Sequence, residues 1–307
     1  MRSDEVARYA KLVKGFIVAD GDIDGVFGAR LLRVWLGDRF AGVKFPEPKE
    51  VRSLSLRDCI SVELPPGRVA STSKVLVFDH HPRGLIAYYD EGGEEGWRVD
   101  LGEYPSISRM ILEVLNVKDP VTEPYMHFVD IVDSNPRSLL NDPRYLGYRL
   151  AIDIKDWKLW VVNGEVEKAF DLFNEIGRTA VDDWLKDMER KVRVEKIDGL
   201  TVAFIVAEEA TTAVVKGYRI RIEHSLSRIL QLKLEEKHDY AVIVFVENGK
   251  PHRISISSPR HRNANLIASK LGGGGHPQVA GAPLQANDLE EAMRKVLTTL
   301  RDAVNLE

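Results

Sequence analysis

Short apolar segments alternate with helical patterns along the first half of the chain. The first, Gly15–Ala19, is a continuous apolar run bounded by turn-forming residues, as buried strands are, and Cys59–Leu64 and Lys74–Phe78 are two further strand candidates. Apolar residues at helical spacing follow the first run over Val26–Leu36, and Gly37 ends that pattern. Because strands that alternate with helices are typical of a doubly wound, mostly parallel sheet, the N-terminal half is expected to be α/β.

Less regular patterns complete the N-terminal half. We predict a hairpin over Gly92–Leu101 and a helix over Ser106–Leu115. We interpret the apolar segment Tyr125–Val132 as a further strand, with Asp130 at its end and Asp133 directly after it.

The C-terminal part is rich in β-branched strands and is expected to be a smaller α/β domain with a mixed sheet. A charged, helical stretch from Glu165 to about Val194 bridges the two parts. We therefore predict a first domain at residues 1–165, a helical linker at 166–198 and a second domain at 199–307. The predicted C-terminal strands are Leu200–Ala207, Tyr240–Glu247 and His252–Ser257, and the predicted helices are Arg219–Glu236, Asn265–Leu271 and Asp288–Val304.

Composition excludes several classes of protein. The chain has 307 residues, enough for two domains, and a net charge of −4, whereas a protein that coats long nucleic acid usually has a basic surplus. The single cysteine, Cys59, excludes a disulfide framework and a four-thiolate zinc site. No apolar run reaches the roughly 18 residues that a membrane helix needs, so we expect a cytoplasmic protein without a membrane partner.

Three carboxylates fall directly after the first predicted strand, in Asp20-Gly21-Asp22-Ile23-Asp24-Gly25. Carboxylates this close raise one another's pKa unless a cation compensates them, and oxygen ligands suit a divalent cation. A calcium EF-hand loop begins with the same pattern, but its twelfth position is a glutamate, where this chain has Leu31. A solvated acidic turn stays the structural alternative to a metal site.

Further polar residues lie at the ends of other predicted strands. Glu63 lies at the end of the second, and Asp79-His80-His81 follows the third. In open parallel sheets, ligands bind at the carboxyl ends of the strands, so these side chains are expected to converge with the acidic cluster. A carboxylate-rich site of this kind has room for two metal ions and is typical of phosphate-ester hydrolysis.

Four consecutive glycines, Gly272–Gly275, precede His276 in the second domain. Successive backbone N–H groups without side chains can form a concave anion site. The pattern is not a Walker A loop, because no Gly-Lys-Ser/Thr follows. Arg260 and Arg262 come shortly before it and could bind phosphate. A flexible linker and solvated arginines are the structural alternatives.

Together these motifs resemble the DHH phosphoesterase family, which includes RecJ-like single-strand exonucleases, nanoRNases and cyclic-dinucleotide phosphodiesterases. The namesake motif corresponds to Asp79-His80-His81, and the acidic cluster resembles the first motif of the RecJ branch. The segment from Gly272 to Gly281 resembles the GGGH signature of the family's associated C-terminal domain. The motifs follow the family's order over nearly the whole chain.

The resemblance implies two manganese ions, which magnesium or cobalt could replace, and a water between them that attacks phosphorus. Asp79 would orient His80, and His81 would contact the scissile phosphate. The implied metal ligands are Asp20 and Asp22 for one ion, Asp24, His80 and Asp133 for the other, and Glu63 between them; the implied substrate ligands are Arg260, Gly273, Gly274, Gly275 and His276.

Two positions depart from the family's pattern or leave it ambiguous. The second motif normally supplies an aspartate, whereas this chain has Glu63, and Asp58 lies at the other end of the same predicted strand. The fourth motif matches either Asp130 or Asp133, and we prefer Asp133 because the sequence around it resembles the RecJ form.

We therefore expect a manganese-dependent phosphodiesterase or exonuclease that acts on short or single-stranded oligonucleotides. A phosphatase or phosphodiesterase of a 3′-phosphonucleotide, a cyclic dinucleotide or polyphosphate is the second hypothesis. A catalytically degenerate DHH protein that binds a replication or repair partner is the third. The oligomeric state stays open, with a dimer among the outcomes.

Overall fold

The computed structural model describes residues 2–81, 83–179, 181–259, 261–275 and 277–304, apart from the side chains of Arg2 and Val304. The chain forms two compact units. The first comprises residues 1–139 and 154–172, and the second comprises residues 140–153 and 173–307. No helix among the described residues is long and apolar enough to cross a membrane.

The first unit contains a six-stranded sheet in the order β2-β1-β3-β4-β5-β6. The strands β2, β1, β3 and β4 are parallel, and β5 and β6 add an antiparallel edge, which confirms a mostly parallel sheet. The strands are β1 (Phe16–Ala19), β2 (Gly42–Lys44), β3 (Ser55–Val62), β4 (Ser71–Asp79), β5 (Leu85–Tyr89) and β6 (Glu95–Asp100).

Helices cover both faces of the central strands, since consecutive residues such as Ile60, Ser61 and Val62 are all buried. The helices of the first unit are α1 (Arg2–Ala10), α2 (Ile23–Leu36), α3 (Pro48–Val51), α4 (Ile107–Val114), α5 (Met126–Ser134) and α7 (Lys155–Asn163). A further helix, α8 (Val166–Gly177), begins in the first unit and ends in the second.

Two expectations for the first unit need correction. The segment Tyr125–Val132 is not a strand, because Met126–Ser134 forms α5, so Asp130 and Asp133 lie on a helix rather than at a strand end. The hairpin consists of β5 and β6 and begins at Leu85, before the expected range. Its turn falls at the start of that range, because Asp90 accepts the backbone N–H groups of Gly92 and Glu94.

The second unit contains a mixed six-stranded sheet in the order β13-β14-β12-β11-β8-β7, in which only β8 and β11 are parallel among the described pairs. A separate ribbon pairs β9 with β10. The strands are β7 (Arg193–Ile197), β8 (Leu200–Glu208), β9 (Thr212–Val215), β10 (Tyr218–Arg221), β11 (Tyr240–Glu247), β12 (Lys250–Ser257), β13 (Gly274–Gly275) and β14 (Val279–Pro283).

One face of this sheet buries alternate residues such as Val202, Val242 and Ile254 in a core with the last two helices. The helices of the unit are α6 (Pro143–Ala151), α9 (Val181–Glu189), α10 (Ile222–Leu234), α11 (Ala264–Lys270) and α12 (Leu289–Val304). The division differs from the proposed boundaries at 165 and 198, because residues 140–153 join the second unit and β7 lies inside the predicted linker.

Candidate metal centre

The acidic cluster joins β1 to α2. Asp22 is the N-cap residue of α2, and its Oδ1 accepts the N–H of Gly25 at 2.9 Å. A Cβ on Gly25 would lie 2.4 Å from the carbonyl oxygen of Asp20, so only glycine permits this close approach of helix and strand. The turn therefore presents its carboxylates at the carboxyl end of β1.

Asp24 lies in the first turn of α2 and is 1% exposed. Its two carboxylate oxygens accept the backbone N–H groups of Ile107 at 2.6 Å and Ser108 at 2.9 Å, at the beginning of α4. Because a helix N-terminus favours negative charge, these contacts stabilise a buried carboxylate in one orientation.

Glu63 follows β3 directly and is 3% exposed. Its φ of 59° is in the left-handed region, which is strained for a residue with a side chain and often occurs at functional sites. The Oε1 atom lies 3.1 Å from Nε2 of His80, and the buried Oε2 atom has no hydrogen-bond partner among the described residues. The fallback candidate Asp58 instead binds Lys14.

His80 is the point at which the side chains meet. Its Nε2 lies 3.1 Å from Glu63 Oε1, 3.4 Å from Asp133 Oδ2 and 3.6 Å from Asp24 Oδ2. Two overlapping groups result, each with ligand atoms within 4.8 Å of one another: Asp24, His80 and Asp133, and Glu63, His80 and His81. The strand ends thus converge as the sequence indicated.

The expected orienting hydrogen bond from Asp79 to His80 is not found among the described residues: His80 hydrogen-bonds the backbone of Tyr104, and Asp79 binds the next residue, His81. Its Oδ1 lies 3.3 Å from both the backbone nitrogen and Nδ1 of His81. Although burial raises the pKa of Asp79, the hydrogen bonds from His81 bring it below its ordinary value. The same contact raises the pKa of His81, so Asp79 orients His81 and favours its charged form.

Asp133 and Asp130, the two candidates for the fourth motif, have different contacts. Asp133 faces His80, whereas both oxygens of Asp130 are engaged by Ser106 and Arg109. The predicted preference for Asp133 therefore agrees with the geometry, although its element is a helix. Asp20 lies outside both groups and contacts Arg68, with 3.4 Å between Oδ2 and Nη2. Asp22 is also outside both groups.

Burial and mutual repulsion hold protons on this cluster when no cation is bound. Burial, with the charge of Asp20 second, raises the pKa of Asp22 to about 7. Burial likewise raises the pKa of Asp133 to about 6 and the pKa values of Asp24 and Glu63 well above their ordinary range. Burial lowers the pKa of His80 to about 4, so its ring is neutral and able to bind a metal at neutral pH.

These residues fit a divalent cation. The orphaned Oε2 of Glu63 lacks a partner, and the raised carboxylate pKa values indicate negative charge without compensation. A neutral imidazole combined with carboxylates is a donor set typical of manganese, iron or zinc rather than magnesium or calcium alone.

Two basic side chains, those of Arg68 and Lys158, lie beside the cluster. Neither belongs to a sequence motif, and the sequence analysis did not predict them. Arg68 donates through Nη1 to the carbonyl oxygen of Glu63 at 2.8 Å, in addition to its contact with Asp20. Lys158, on α7, places Nζ 2.7 Å from where a Cβ on Gly21 would stand, and its charge lowers the pKa of Asp22. Lys158 comes from a segment distant in sequence, whereas Arg68 lies five residues after Glu63 but 48 residues after Asp20, so only the fold brings the acidic turn to both.

The glycine segment is more ordered than a linker. The N–H groups of Gly272 and Gly273 donate to the carbonyl oxygens of Ser269 and Ala268 at the end of α11, so they are not available to an anion. A Cβ on Gly273 would lie 2.0 Å from the carbonyl oxygen of Gly281, which explains that glycine by close packing. Gly274 and Gly275 form β13 and stay candidates for substrate contact.

Three further residues, Arg260, Arg262 and His276, were predicted to contact substrate. Arg260 and His276 lie outside the described residues. Arg262 donates to Asp239 through Nε and Nη2, at 3.2 and 2.9 Å, so its side chain is engaged within the second unit.

Residues 211–304 match the DHHA1 domain family. The fold is similar to that of a pGpG-specific phosphodiesterase, PggH, from Vibrio cholerae, with a TM-score of 0.54 and 16% identity over 94% of this chain and 99% of that chain. It is also similar to RecJ in complex with Mn2+ from Thermus thermophilus, with a TM-score of 0.51 and 17% identity over 98% of this chain and 55% of that chain.

A curated relative is the bifunctional oligoribonuclease and PAP phosphatase NrnA of Thermus thermophilus, which is 46% identical over 50 residues. That stretch is 16% of this chain and 15% of the relative. A mostly parallel unit with clustered carboxylates and histidines, followed by a mixed-sheet unit, defines the DHH/RecJ class of fold. The chain thus carries a DHHA1 domain and shares the fold of PggH and RecJ, and its Asp79-His80-His81 motif resembles the DHH motif.

Proposed function

We propose that this protein is a metal-dependent phosphoesterase that hydrolyses short or single-stranded oligonucleotides. The observation that carries the proposal is the convergence of Asp24, Glu63 and Asp133 on Nε2 of His80, within 3.6 Å. Similar proteins named for oligoribonuclease, pGpG phosphodiesterase and exonuclease activity support a phosphodiester substrate.

The proposed roles follow from the contacts of each residue. Asp24, Glu63, His80 and Asp133 would hold a divalent cation, with Asp22 and Asp20 as candidate ligands of a second. When bound, such cations neutralise phosphate charge and make a water acidic enough to supply hydroxide near neutral pH. His81, which Asp79 orients and whose pKa it raises, would contact the scissile phosphate.

We propose manganese as the preferred ion, with magnesium or cobalt as substitutes. The imidazole of His80 favours manganese over magnesium, since magnesium prefers oxygen ligands. A RecJ structure that shares the fold was determined in complex with Mn2+. Gly274 and Gly275, together with Arg260 and His276, are the proposed substrate contacts of the second unit.

A phosphatase or phosphodiesterase of a small nucleotide is the second candidate. It is favoured by the relative that is both an oligoribonuclease and a PAP phosphatase. The net charge of −4 also favours a small substrate, because binding long strands requires many Lys and Arg contacts.

A length ladder tests the proposal. The purified protein is incubated with Mn2+ and single-stranded RNA or DNA from dinucleotides to about thirty nucleotides, with 3′-phosphonucleotides, cyclic dinucleotides and polyphosphate in parallel. We expect hydrolysis that falls with length and disappears in Asp22→Ala. Hydrolysis of the small nucleotides alone would favour the second candidate. Unchanged turnover in Asp22→Ala would contradict the assignment of Asp22 as a metal ligand. If the native protein hydrolyses none of these compounds, the proposal that it is a phosphoesterase is wrong.

Arg68→Gln is expected to raise the KM for oligonucleotides about tenfold, with a smaller change in kcat. Arg68 lies at the edge of the cluster with its side chain half exposed, so it can bind a substrate phosphate by a charge-assisted hydrogen bond. Steady-state kinetics measure both constants. Arg57→Gln, which removes the same charge from an exposed position at the far end of β3, is the control. Equal KM values in the two variants would show that Arg68 does not bind substrate.

A further inference from the structure

Two carboxylates that converge on His80 belong to different helices. Asp24 lies in the first turn of α2, and Asp133 lies near the end of α5. Their distances to Nε2 of His80 are 3.6 and 3.4 Å. The geometry of the site therefore depends on whatever fixes α2 and α5 relative to each other.

The first turn of α4 binds α2. The N–H groups of Ile107 and Ser108 donate to the two oxygens of the Asp24 carboxylate, and Ser108 Oγ donates to the carbonyl oxygen of Asp24 at 2.8 Å. Three hydrogen bonds thus join α4 to the one residue, so a shift of α4 would rotate the Asp24 carboxylate.

The same turn of α4 also binds α5. Ser106, the N-cap residue of α4, accepts the N–H of Arg109 at 3.0 Å and donates to Oδ1 of Asp130 at 2.6 Å. The guanidinium of Arg109 donates to Oδ2 of Asp130 through Nε at 3.0 Å and Nη2 at 2.5 Å. Asp130 lies three residues before Asp133 on α5, so the two share one side of that helix.

We propose that Ser106, Arg109 and Asp130 form a clamp that positions Asp133 against Asp24 and so sets the affinity of the centre for its divalent cation. The proposal rests on the proposed function, since it assumes that these carboxylates bind a metal. Both oxygens of Asp130 are engaged by the clamp, so Asp130 acts through Asp133 and is not itself a ligand. Partners of this kind typically change metal affinity by 10–100-fold.

Asp130→Asn tests the clamp, because the amide keeps the size of the side chain but has one oxygen in place of the two that accept from Ser106 and from Arg109. The matched control is Asp119→Asn. Asp119 is a buried carboxylate in the same unit, bound by Nε and Nη2 of Arg30 at 2.8 and 3.1 Å. Both variants weaken an ion pair between a buried aspartate and a partly buried arginine, but only the first touches the clamp.

The measurements are the Mn2+ dissociation constant without substrate, from the electron paramagnetic resonance signal of the free ion, and the unfolding temperature in EDTA. We expect both variants to unfold at lower temperature in EDTA. Asp130→Asn should also bind Mn2+ about 10–100-fold more weakly, whereas Asp119→Asn should stay within about twofold of the native protein. Equal affinities in the two variants would overturn the clamp.

A double variant separates positioning from stability. Adding Arg109→Met to Asp130→Asn removes the unpaired, partly buried charge of Arg109, so the unfolding temperature in EDTA should recover in part. The Mn2+ affinity should stay low, because nothing restores the position of Asp133. Full recovery of affinity along with stability would show that the network is merely structural.

Mn2+ binding and hydrolysis measured on the native protein distinguish failure of the clamp proposal from failure of the proposed function. A native protein that binds no Mn2+ would overturn the proposed function and the clamp with it. A native protein that binds Mn2+ but hydrolyses no phosphoester would overturn the proposed function alone, because the clamp is judged by binding constants. Native hydrolysis with unchanged Mn2+ affinity in Asp130→Asn would overturn only the clamp.

Discussion

Glu63→Gln is expected to lower manganese-dependent hydrolysis by about 10³-fold, more than the 10–100-fold typical of residues that only support a metal ligand. Glu63 lies 3.1 Å from Nε2 of His80 and 3.9 Å from Nδ1 of His81, where the two groups of candidate ligands overlap. The amide has nearly the same shape but no negative charge, so it would weaken the binding of the cation that Glu63 would hold with Asp24, His80 and Asp133.

The same substitution should stabilise the protein when no metal is present. Burial and the charge of Asp22 raise the pKa of Glu63 well above its ordinary range, which shows that its charged form is unfavourable without a cation. In EDTA at pH 8, Glu63→Gln should therefore unfold at a higher temperature than the native protein, whereas in Mn2+ it should unfold at a lower one.

Glu91→Gln is the matched control for both effects. The Glu91 side chain belongs to the same unit, is 85% exposed and makes one ion pair, with Lys74. It should leave hydrolysis and both unfolding temperatures nearly unchanged, because exposed ion pairs contribute little. Native-like hydrolysis in Glu63→Gln would exclude Glu63 as a metal ligand, and lower stability in EDTA would contradict an uncompensated charge.

The convergence of Asp24, Glu63 and His80 could be predicted because it depends on local signals. Apolar runs mark the buried strands, and parallel neighbours end at the same edge of a sheet. The residues that follow those runs must then lie close together. The sequence also shows that Glu63 stands where the DHH motif pattern usually has an aspartate. It does not show that the backbone of Glu63 is left-handed or that its side chain lies 3.1 Å from Nε2 of His80.

The helix at Met126–Ser134 was missed because a short apolar run does not separate a buried strand from a buried helix. A signal was nevertheless present. Asp130 and Asp133 are three residues apart, which places them on one side of a helix but on opposite faces of a strand. Two carboxylates with related roles at that spacing favour the helix.

Other features depend on contacts that no sequence motif marks. Gly273 is required because Gly281 of β14 approaches its backbone, and no local pattern indicates that pairing. Arg68 and Lys158 reach the acidic cluster from the segment between β3 and β4 and from α7. Their neighbours in sequence resemble those of any surface cation, so only the tertiary fold distinguishes them.

Removing the metal is expected to make stability fall as pH rises from about 4 to about 7. An acid with a raised pKa in the folded state keeps its proton there while the unfolded chain has lost it, so unfolding releases protons and becomes easier at higher pH. For Asp22 this window extends from its ordinary value of 3.8 to about 7, and for Asp133 to about 6. Glu63 and Asp24 add to the same trend.

His80 works in the opposite direction, because its lowered pKa makes the folded state bind fewer protons between about 4 and 6.5. Within the candidate metal centre it is one group against four carboxylates, so the contribution of the centre to the slope should stay negative; burial lowers the pKa of His224 in the second unit to about 4, and that contribution is the same with and without the metal. Urea unfolding in EDTA at several values from about pH 5 to about pH 7.5 measures this slope. Asp22→Asn should make it shallower, since one of the four groups is then neutral throughout.

Mn2+ should reverse the dependence on pH. The cation binds carboxylates only after they lose their protons, so its affinity should rise through the range in which Asp133 and Asp22 titrate, about 6 to about 7. Since a ligand at about 1,000 times its Kd adds about 4 kcal/mol to the free energy of unfolding, the gap between the Mn2+ and EDTA curves should widen toward neutral pH. A gap that is constant over this range would show that these carboxylates are already ionised without the metal, and would remove the electrostatic case for a cation at this site.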